Sequence, residues 1–210
     1  IRDWAADKHR TTDDTPFGGG GGMVMKPEPI FAAVEGVLGK NPACPIILLT
    51  PQGKQFTHKD ADQLSRTPGV ALICGRYEGV DERIREHLVT DEFSIGDFVL
   101  SGGELPAMMV MDAITRQIPG ALGDPEGAQD DSFATGLLEY PHYTRPPDFR
   151  GWQVPSVLLS GDHARVTRWR RQEAIRRTFM RRPDLLPGAR LSESDKAFLE
   201  SLQNEIKQKG

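Results

Sequence analysis

The sequence predicts an α/β protein with a mainly parallel sheet, followed by a small helical C-terminal domain. Two observations carry this. Short apolar runs at 46–50, 70–74 and roughly 93–100, each followed by glycine or proline, read as buried strands that alternate with helical stretches at 28–38, 58–65 and 80–88. Past a segment rich in proline and glycine, the pattern is helical only, at 162–182 and 192–208.

Each element has its own reason. The run Ile46-Ile47-Leu48-Leu49 has no polar alternation, as expected of a parallel strand covered on both faces. A longer amphipathic helix is predicted at about 104–118. Pro119, Gly120, Gly123, Pro125, Gly127 and Gly136 then interrupt any periodicity, so residues 120–136 are expected to be a mobile linker between a domain at 1–119 and a helical domain at 137–210. The last helix opens on Ser192-Glu193-Ser194-Asp195, a capping-box pattern, and Arg182-Pro183 and Pro187-Gly188 separate it from the helix before. There is no internal repeat.

The 210 residues are 38% hydrophobic and 27% charged, which are globular values. No window approaches the roughly 18 uninterrupted apolar residues of a membrane helix, so no membrane partner is expected. The opening Ile1-Arg2-Asp3-Trp4 has no features of a secretion leader, and the sequence is expected to start in mid-domain. Cys44 and Cys74 adjoin apolar runs without metal-ligand spacing, so free buried thiols in a cytoplasmic protein are expected rather than a disulfide. A net charge of -4 argues against indiscriminate coating of nucleic acid while allowing a local basic face.

Three glycine-containing loops follow the predicted strands: Thr50-Pro51-Gln52-Gly53, Gly75-Arg76-Tyr77-Glu78-Gly79, and Ser94-Ile95-Gly96-Asp97 continuing through Ser101-Gly102-Gly103-Glu104-Leu105-Pro106. Such loops are the usual ligand sites of open α/β sheets. None matches a dinucleotide fingerprint or a P-loop, so the residues by themselves leave plain turns and a shared pocket both open.

A group of longer strings carries a resemblance. His9-Arg10-Thr11-Thr12-Asp13-Asp14, the glycines at 18–22 with Met23-Val24-Met25, Cys74-Gly75-Arg76-Tyr77-Glu78-Gly79-Val80-Asp81-Glu82-Arg83, Ser94-Ile95-Gly96-Asp97, Leu100-Ser101-Gly102-Gly103-Glu104-Leu105-Pro106-Ala107-Met108, Asp131-Ser132-Phe133 and Pro141-His142-Tyr143-Thr144-Arg145-Pro146 resemble bacterial tRNA (guanine-N1)-methyltransferases. That resemblance implies the SPOUT class, with a deep trefoil knot in the sheet domain around S-adenosyl-L-methionine. It also implies a strand and helix ahead of Ile1, which would leave one sheet position unfilled here. Leu48 and Phe98 stand where relatives commonly have an aromatic residue and a tyrosine.

The same resemblance implies the site. The donor pocket would comprise Pro51, Gly75, Tyr77, Glu78, Gly79, Ile95, Gly96, Leu100, Gly102, Gly103 and Pro106. Asp131 would be the base for the guanine N1 proton, and Arg116 would stabilise charge on the guanine carbonyl oxygen. Taken alone, Asp131 reads as a solvated acid of a loop and Arg116 as a surface arginine at a helix end. Gly21 would admit a nucleotide close to the main chain. The substrate would be the guanosine immediately 3′ of the anticodon, gripped at the anticodon arm, in a homodimer whose sites draw on both subunits. Magnesium is also implied, although no separate ligand cluster marks a metal site. The Met-rich stretch at 105–114 fits a subunit interface or a monomer core equally.

One argument is independent of family. Residues 162–182 hold eight arginines, no lysine and two acids. On a helix Val166, Trp169, Ile175, Phe179 and Met180 share a broad arc, with Arg170, Arg171, Arg177, Arg181 and Arg182 opposite, a face suited to phosphates. The rivals are a knotted methyltransferase acting on a ribose hydroxyl or ribosomal RNA, and an RNA-binding protein without turnover.

Overall fold

Four consecutive apolar residues, Ile46 to Leu49, fill the middle strand of a parallel sheet, and all four are buried. The computed structural model describes residues 1–123 and 131–208. The chain divides into two compact units, Ile1–Ala121 and Leu122–Gly210.

In the first unit, strands β1 (Asp13–Asp14) and β2 (Val24–Met25) form a short antiparallel pair. The sheet proper consists of β3 (Ile46–Gln55), β4 (Ala71–Cys74) and β5 (Asp91–Ser94), ordered β4-β3-β5 and parallel throughout. Alternate side chains leave opposite faces of a strand, so β3 feeds two cores. Ile47 and Leu49, with Phe93, meet Ala61 of helix α2 (His58–Leu64) and Ala107, Val110 and Ile114 of helix α4 (Glu104–Thr115). Ile46 and Leu48, with Ile73, meet Ile30 of helix α1 (Pro27–Leu38) and Ile84 of helix α3 (Glu82–His87). Each buried aliphatic side chain of this kind contributes about 1.5–3 kcal/mol, which fixes the register of the strand.

Local chemistry sets the element ends. Thr57 and Asp60 form a reciprocal capping box on α2, and the Asp81 side chain accepts the Arg83 N–H to start α3. Burial works to raise the Asp60 carboxyl, but hydrogen bonds from Lys54 and Thr57 and the Lys54 charge outweigh it and hold it below the usual carboxylate range.

Two predicted boundaries are corrected. The strand expected at roughly 93–100 starts at Asp91 and stops at Ser94. There the Ser94 hydroxyl donates to the Gly96 carbonyl and accepts the Gly96 N–H, a turn completed by Gly96 at φ +150. The helix expected to reach 118 ends at Thr115, and Gln117 and Ile118 continue as turns. Its buried face is Ala107, Val110 and Ile114, whereas Leu105, Met108, Met109 and Met111 are exposed. These three methionines of α4 are therefore not part of the core of this unit.

The expected strand-end loop at 50–53 is a different object. Leu49 and Lys54 both register against Phe93 of β5, so the four residues between them leave the ladder as an excursion within β3. Pro51, which has no N–H to give a ladder, sits in that excursion. The chain returns through Gly53, where a Cβ would lie 2.5 Å from the backbone of Glu92 and Phe93, so the close approach requires glycine.

The second unit is built on helices α5 (His163–Arg181) and α6 (Glu193–Lys207), with 3₁₀ segments at Ser156–Leu159 and Pro183–Gly188. Strands β6 (Asp148–Phe149) and β7 (Trp152–Gln153) form a hairpin ahead of them. Leu137, Ala174, Ile175 and Leu202 are the buried centre, with Phe179 and Phe198 packed against it. The predicted capping box is present: Ser192 N–H donates to Asp195 Oδ2 and Asp195 N–H to Ser192 Oγ.

The helix-face expectation needs correction in both directions. Met180 is 63% exposed and does not belong to the buried arc. Arg171 is not a free member of the cationic face, since its guanidinium lies 3.0 Å from Asp195 Oδ2 and donates to the Arg190 carbonyl, joining α5 to α6. Arg182 is paired with Asp184 at 2.7 Å.

Of the linker expected at 120–136, residues 124–130 lie outside the described residues. Residues 131–136 are turns belonging to the second unit. Phe133 N–H donates to the Leu137 carbonyl at 2.7 Å, Ala134 N–H to the Asp131 carbonyl, and Glu139 N–H to the Ser132 hydroxyl.

Candidate active site

The excursion at 50–53, the loop after β4 and the loop after β5 all leave the carboxyl side of the parallel sheet, the edge at which open α/β sheets bind ligands. They enclose a cavity of ≈ 380 Å³. All eleven residues expected in a donor pocket line it: Pro51, Gly75, Tyr77, Glu78, Gly79, Ile95, Gly96, Leu100, Gly102, Gly103 and Pro106.

The loops are locked to one another by main chain. Gly103 N–H donates to the Gly75 carbonyl at 2.9 Å, Arg76 bridges to Gly102, and Glu78 N–H donates to the Met23 carbonyl at 3.0 Å. A Cβ on Gly103 would meet the Cys74 backbone, and one on Gly102 would run into the Arg76–Glu104 ion pair, whose partners stand 2.8 Å apart. Tyr77 adopts φ +57, a left-handed conformation uncommon outside glycine, and is 63% exposed.

The wall is chemically mixed. Leu49, Phe93, Ile95 and Pro106 provide apolar surface. Gln52, Glu78, Glu82 and Arg85, of which only Glu78 was among the residues expected in the donor pocket, provide polar groups. Arg85 Nη1 donates to Gln52 Oε1 at 2.5 Å and to Glu82 at 3.2 Å, while its Nε lies 3.0 Å from Glu92 Oε2 as an ion pair without hydrogen-bond geometry. The signal for Arg85 was its place on α3 immediately after the Gly75–Arg83 string, but side-chain reach across to the 50–53 excursion depends on the β3 bulge. Leu48 borders the cavity while remaining 2% exposed, and the Phe98 ring packs over Gly96. Burial, then the Glu104 charge, push the Cys74 thiol up against the opposing effect of Arg76. With its pKa raised above the ordinary 9.0, that thiol is protonated at neutral pH.

The other expected residues stand elsewhere. Arg116 is exposed at the C-cap of α4 in the first unit. Asp131 is half-buried in the opening turn of the second unit. Gly21 is exposed with nothing within 4 Å of a Cβ built on it. On α5 the Arg170 guanidinium lies 4.9 Å from the Tyr140 ring centroid, and among the described residues Arg168, Arg170, Arg177 and Arg181 form no ion pair. Arg170, Arg177 and Arg181 share an arc of about 40° at roughly 100° per residue. Among the described residues no group of three His, Cys, Asp or Glu converges on a metal position, and no helix is long and apolar enough to cross a membrane.

Comparison with known proteins bears on this geometry. Residues 1–188 match the family described as tRNA (Guanine-1)-methyltransferase TrmD. The tRNA (guanine-N(1)-)-methyltransferase of Citrifermentans bemidjiense is 58% identical over 209 residues, spanning 100% of this chain and 84% of the relative. That of Moorella thermoacetica is 59% identical over 204 residues, 96% of this chain and 82% of the relative. The Bacillus subtilis protein of the same description is 56% identical over 206 residues, 98% of this chain and 85% of the relative.

Proposed function

The chain belongs to the tRNA (Guanine-1)-methyltransferase TrmD family, and we propose that it methylates N1 of the guanosine immediately 3′ of the anticodon, with S-adenosyl-L-methionine seated in the 380 Å³ cavity. The observation that carries the donor assignment is the convergence of all eleven expected residues on one cavity at the carboxyl edge of the sheet. A cavity of this size falls within the roughly 300–1,000 Å³ of small-molecule sites.

The residues fit such a donor. Glycines at 75, 102 and 103 keep side chains out of the space, the apolar wall suits a purine face, and the carboxylates of Glu78 and Glu82 suit a cationic ligand. When bound, the donor supplies an electrophilic methyl group on a sulfonium.

The chain's own residues do the rest. Guanine N1 carries a proton, and its lone pair becomes available only as that proton leaves. Asp131 takes the proton onto its carboxylate. Arg116 offsets the negative charge that develops on the guanine carbonyl oxygen. Arg170, Arg177 and Arg181 hold phosphates of the anticodon arm, and the exposed glycines around Gly21 let a nucleotide approach main chain. Arg171 has its guanidinium committed to Asp195, so its contribution is to hold α5 against α6.

The main-chain ties between the loops after β4 and β5 support a trefoil knot around the donor. The exposed Leu105, Met108, Met109 and Met111 support a homodimer that covers α4. A cytoplasmic site of action follows from a tRNA substrate. The magnesium that the family suggests finds no converging ligand set among the described residues.

Incubating the enzyme with labelled donor and unmodified tRNA, then digesting and identifying the product nucleoside, tests this. N1-methylguanosine is the expected product. Label on a ribose, or donor binding by calorimetry without transfer to any tRNA, would overturn the assignment in favour of a ribose methyltransferase or a non-catalytic RNA-binding protein.

A further inference from the structure

The β6–β7 hairpin presents an aromatic pair that no core uses. Phe149 and Trp152 are cross-strand partners with ring centroids 6.0 Å apart, and they are 53% and 70% exposed. Neither belongs to the buried centre of its unit.

The turn between them is held in a costly conformation. Arg150 and Gly151 have φ +58 and +85, the two positive values of a two-residue hairpin turn in which asparagine-glycine is favoured and arginine is not. Asp148 stabilises it, accepting the Gly151 N–H at 3.0 Å, while Val154 N–H donates to the Pro147 carbonyl at 2.9 Å. The outcome is an arginine at the hairpin tip with its guanidinium 5.1 Å from the Phe149 ring centroid. Backbone strain of this kind, in a hairpin too short to be stable by itself, points to display of the side chains.

Charge identifies the occupant. Residues 140–182 contain ten arginines against Asp148, Asp162 and Glu173, in a chain whose net charge is -4. Two exposed rings beside a guanidinium, in a cationic stretch, match an unstacked nucleobase with its phosphate rather than an apolar protein surface.

We propose that Phe149 and Trp152 form a stacking platform for one unpaired base of the RNA substrate, with Arg150 on the adjoining phosphate. This rests on the tRNA reading above and adds positioning residues to it. The platform holds the anticodon loop in one register so that a single guanine is presented for methylation.

The test compares wild-type enzyme with Phe149→Ala/Trp152→Ala and Arg150→Ala, titrated with an unmodified tRNA anticodon stem-loop and, separately, with S-adenosyl-L-methionine. The double variant should bind the stem-loop roughly 10- to 100-fold more weakly with donor affinity retained. Arg150→Ala should lower the salt slope of binding by about one. A Trp4→Phe/Trp169→Phe enzyme, leaving Trp152 as its single tryptophan, should lose emission on adding the stem-loop. Full stem-loop affinity in the double variant overturns the platform, as does a change in its sedimentation from dimer to monomer, which would make the hairpin a contact between copies. Failure of the wild type to bind or methylate tRNA would instead overturn the underlying reading, and the two failures are distinguishable.

Discussion

Gly103 is seated on the backbone of Cys74: its N–H donates to the Gly75 carbonyl at 2.9 Å, and a Cβ built on it would lie 2.7 Å from the Cys74 Cα. The neighbour is main chain at the end of a strand hydrogen-bonded to β3, so it cannot swing aside as a side chain would. Gly103→Ala therefore must move either the end of β4, which leads into Gly75, or the start of α4, which carries Pro106, and Gly75 and Pro106 both line the cavity. We expect donor affinity to fall at least tenfold by calorimetry, with a stability loss of about 1–3 kcal/mol from overpacking. Gly21→Ala is the control, because nothing lies within 4 Å of the added methyl, and its melting temperature should match the parent.

The proposed base gives a second prediction. Asp131→Asn keeps the shape of the side chain and removes its capacity to accept a proton, so turnover should fall by roughly 10²–10⁴ while donor affinity is little changed. Arg116→Ala should cost about 10²–10³ in turnover, as loss of one electrostatic donor does elsewhere. Single-turnover methyl transfer with donor affinity measured in parallel checks both; near-normal turnover in Asp131→Asn removes that residue from the mechanism.

How far the sequence disclosed the molecule depends on which force acts. Ile46 to Leu49 were legible because a short run without polar alternation, closed by Pro51, reads as a strand buried on both faces. The excursion at 50–53 was not, because Leu49 and Lys54 register against the same Phe93 through long-range pairing, which no local pattern encodes. The Met-rich stretch at 105–114 fitted an interface or a core equally, because composition cannot say which side of α4 a monomer buries, and Ala107, Val110 and Ile114 occupy that side. Arg171 looked like its arginine neighbours on α5 until Asp195 of α6 was brought to 3.0 Å. The cavity residues were readable as a set only through resemblance, since turns and pockets share the same glycines.

That Arg171–Asp195 contact makes a pH prediction. Burial works to raise the Asp195 carboxyl, but hydrogen bonds from Arg171 and from Ser192, and the Arg171 charge, outweigh it and leave it below its ordinary value of 3.8. A depressed carboxylate contributes stability that is complete above the unfolded value and is lost as pH falls through the folded one. Asp195→Asn should thus be less stable than the parent at neutral pH and converge toward it as pH falls below 3.8 and on through the lowered folded value. Urea melts followed by helical circular dichroism across pH 2 to 7 would show this, and a difference independent of pH would assign the loss to packing or capping alone.

Thr178 joins the turn that carries Asp131 to the helix that carries the arginines. It is fully buried, its hydroxyl donates to the Ala174 carbonyl at 2.8 Å, and the same oxygen accepts the Leu138 N–H at 2.8 Å. Thr178→Val matches the volume and deletes the acceptor, leaving the part-buried Leu138 N–H without this partner, which costs about 1–3 kcal/mol. Thr178→Ser keeps the hydroxyl and loses one methyl group, about 0.8 kcal/mol of apolar burial. The order of stability should be parent, serine, valine in denaturant titration. Valine equal to or above serine would mean that the Leu138 N–H finds another acceptor and that this threonine is held by packing. If the order holds, valine should also release the 131–138 turn locally, seen as faster hydrogen exchange at the Leu138 amide than at Ile175 in the centre of α5.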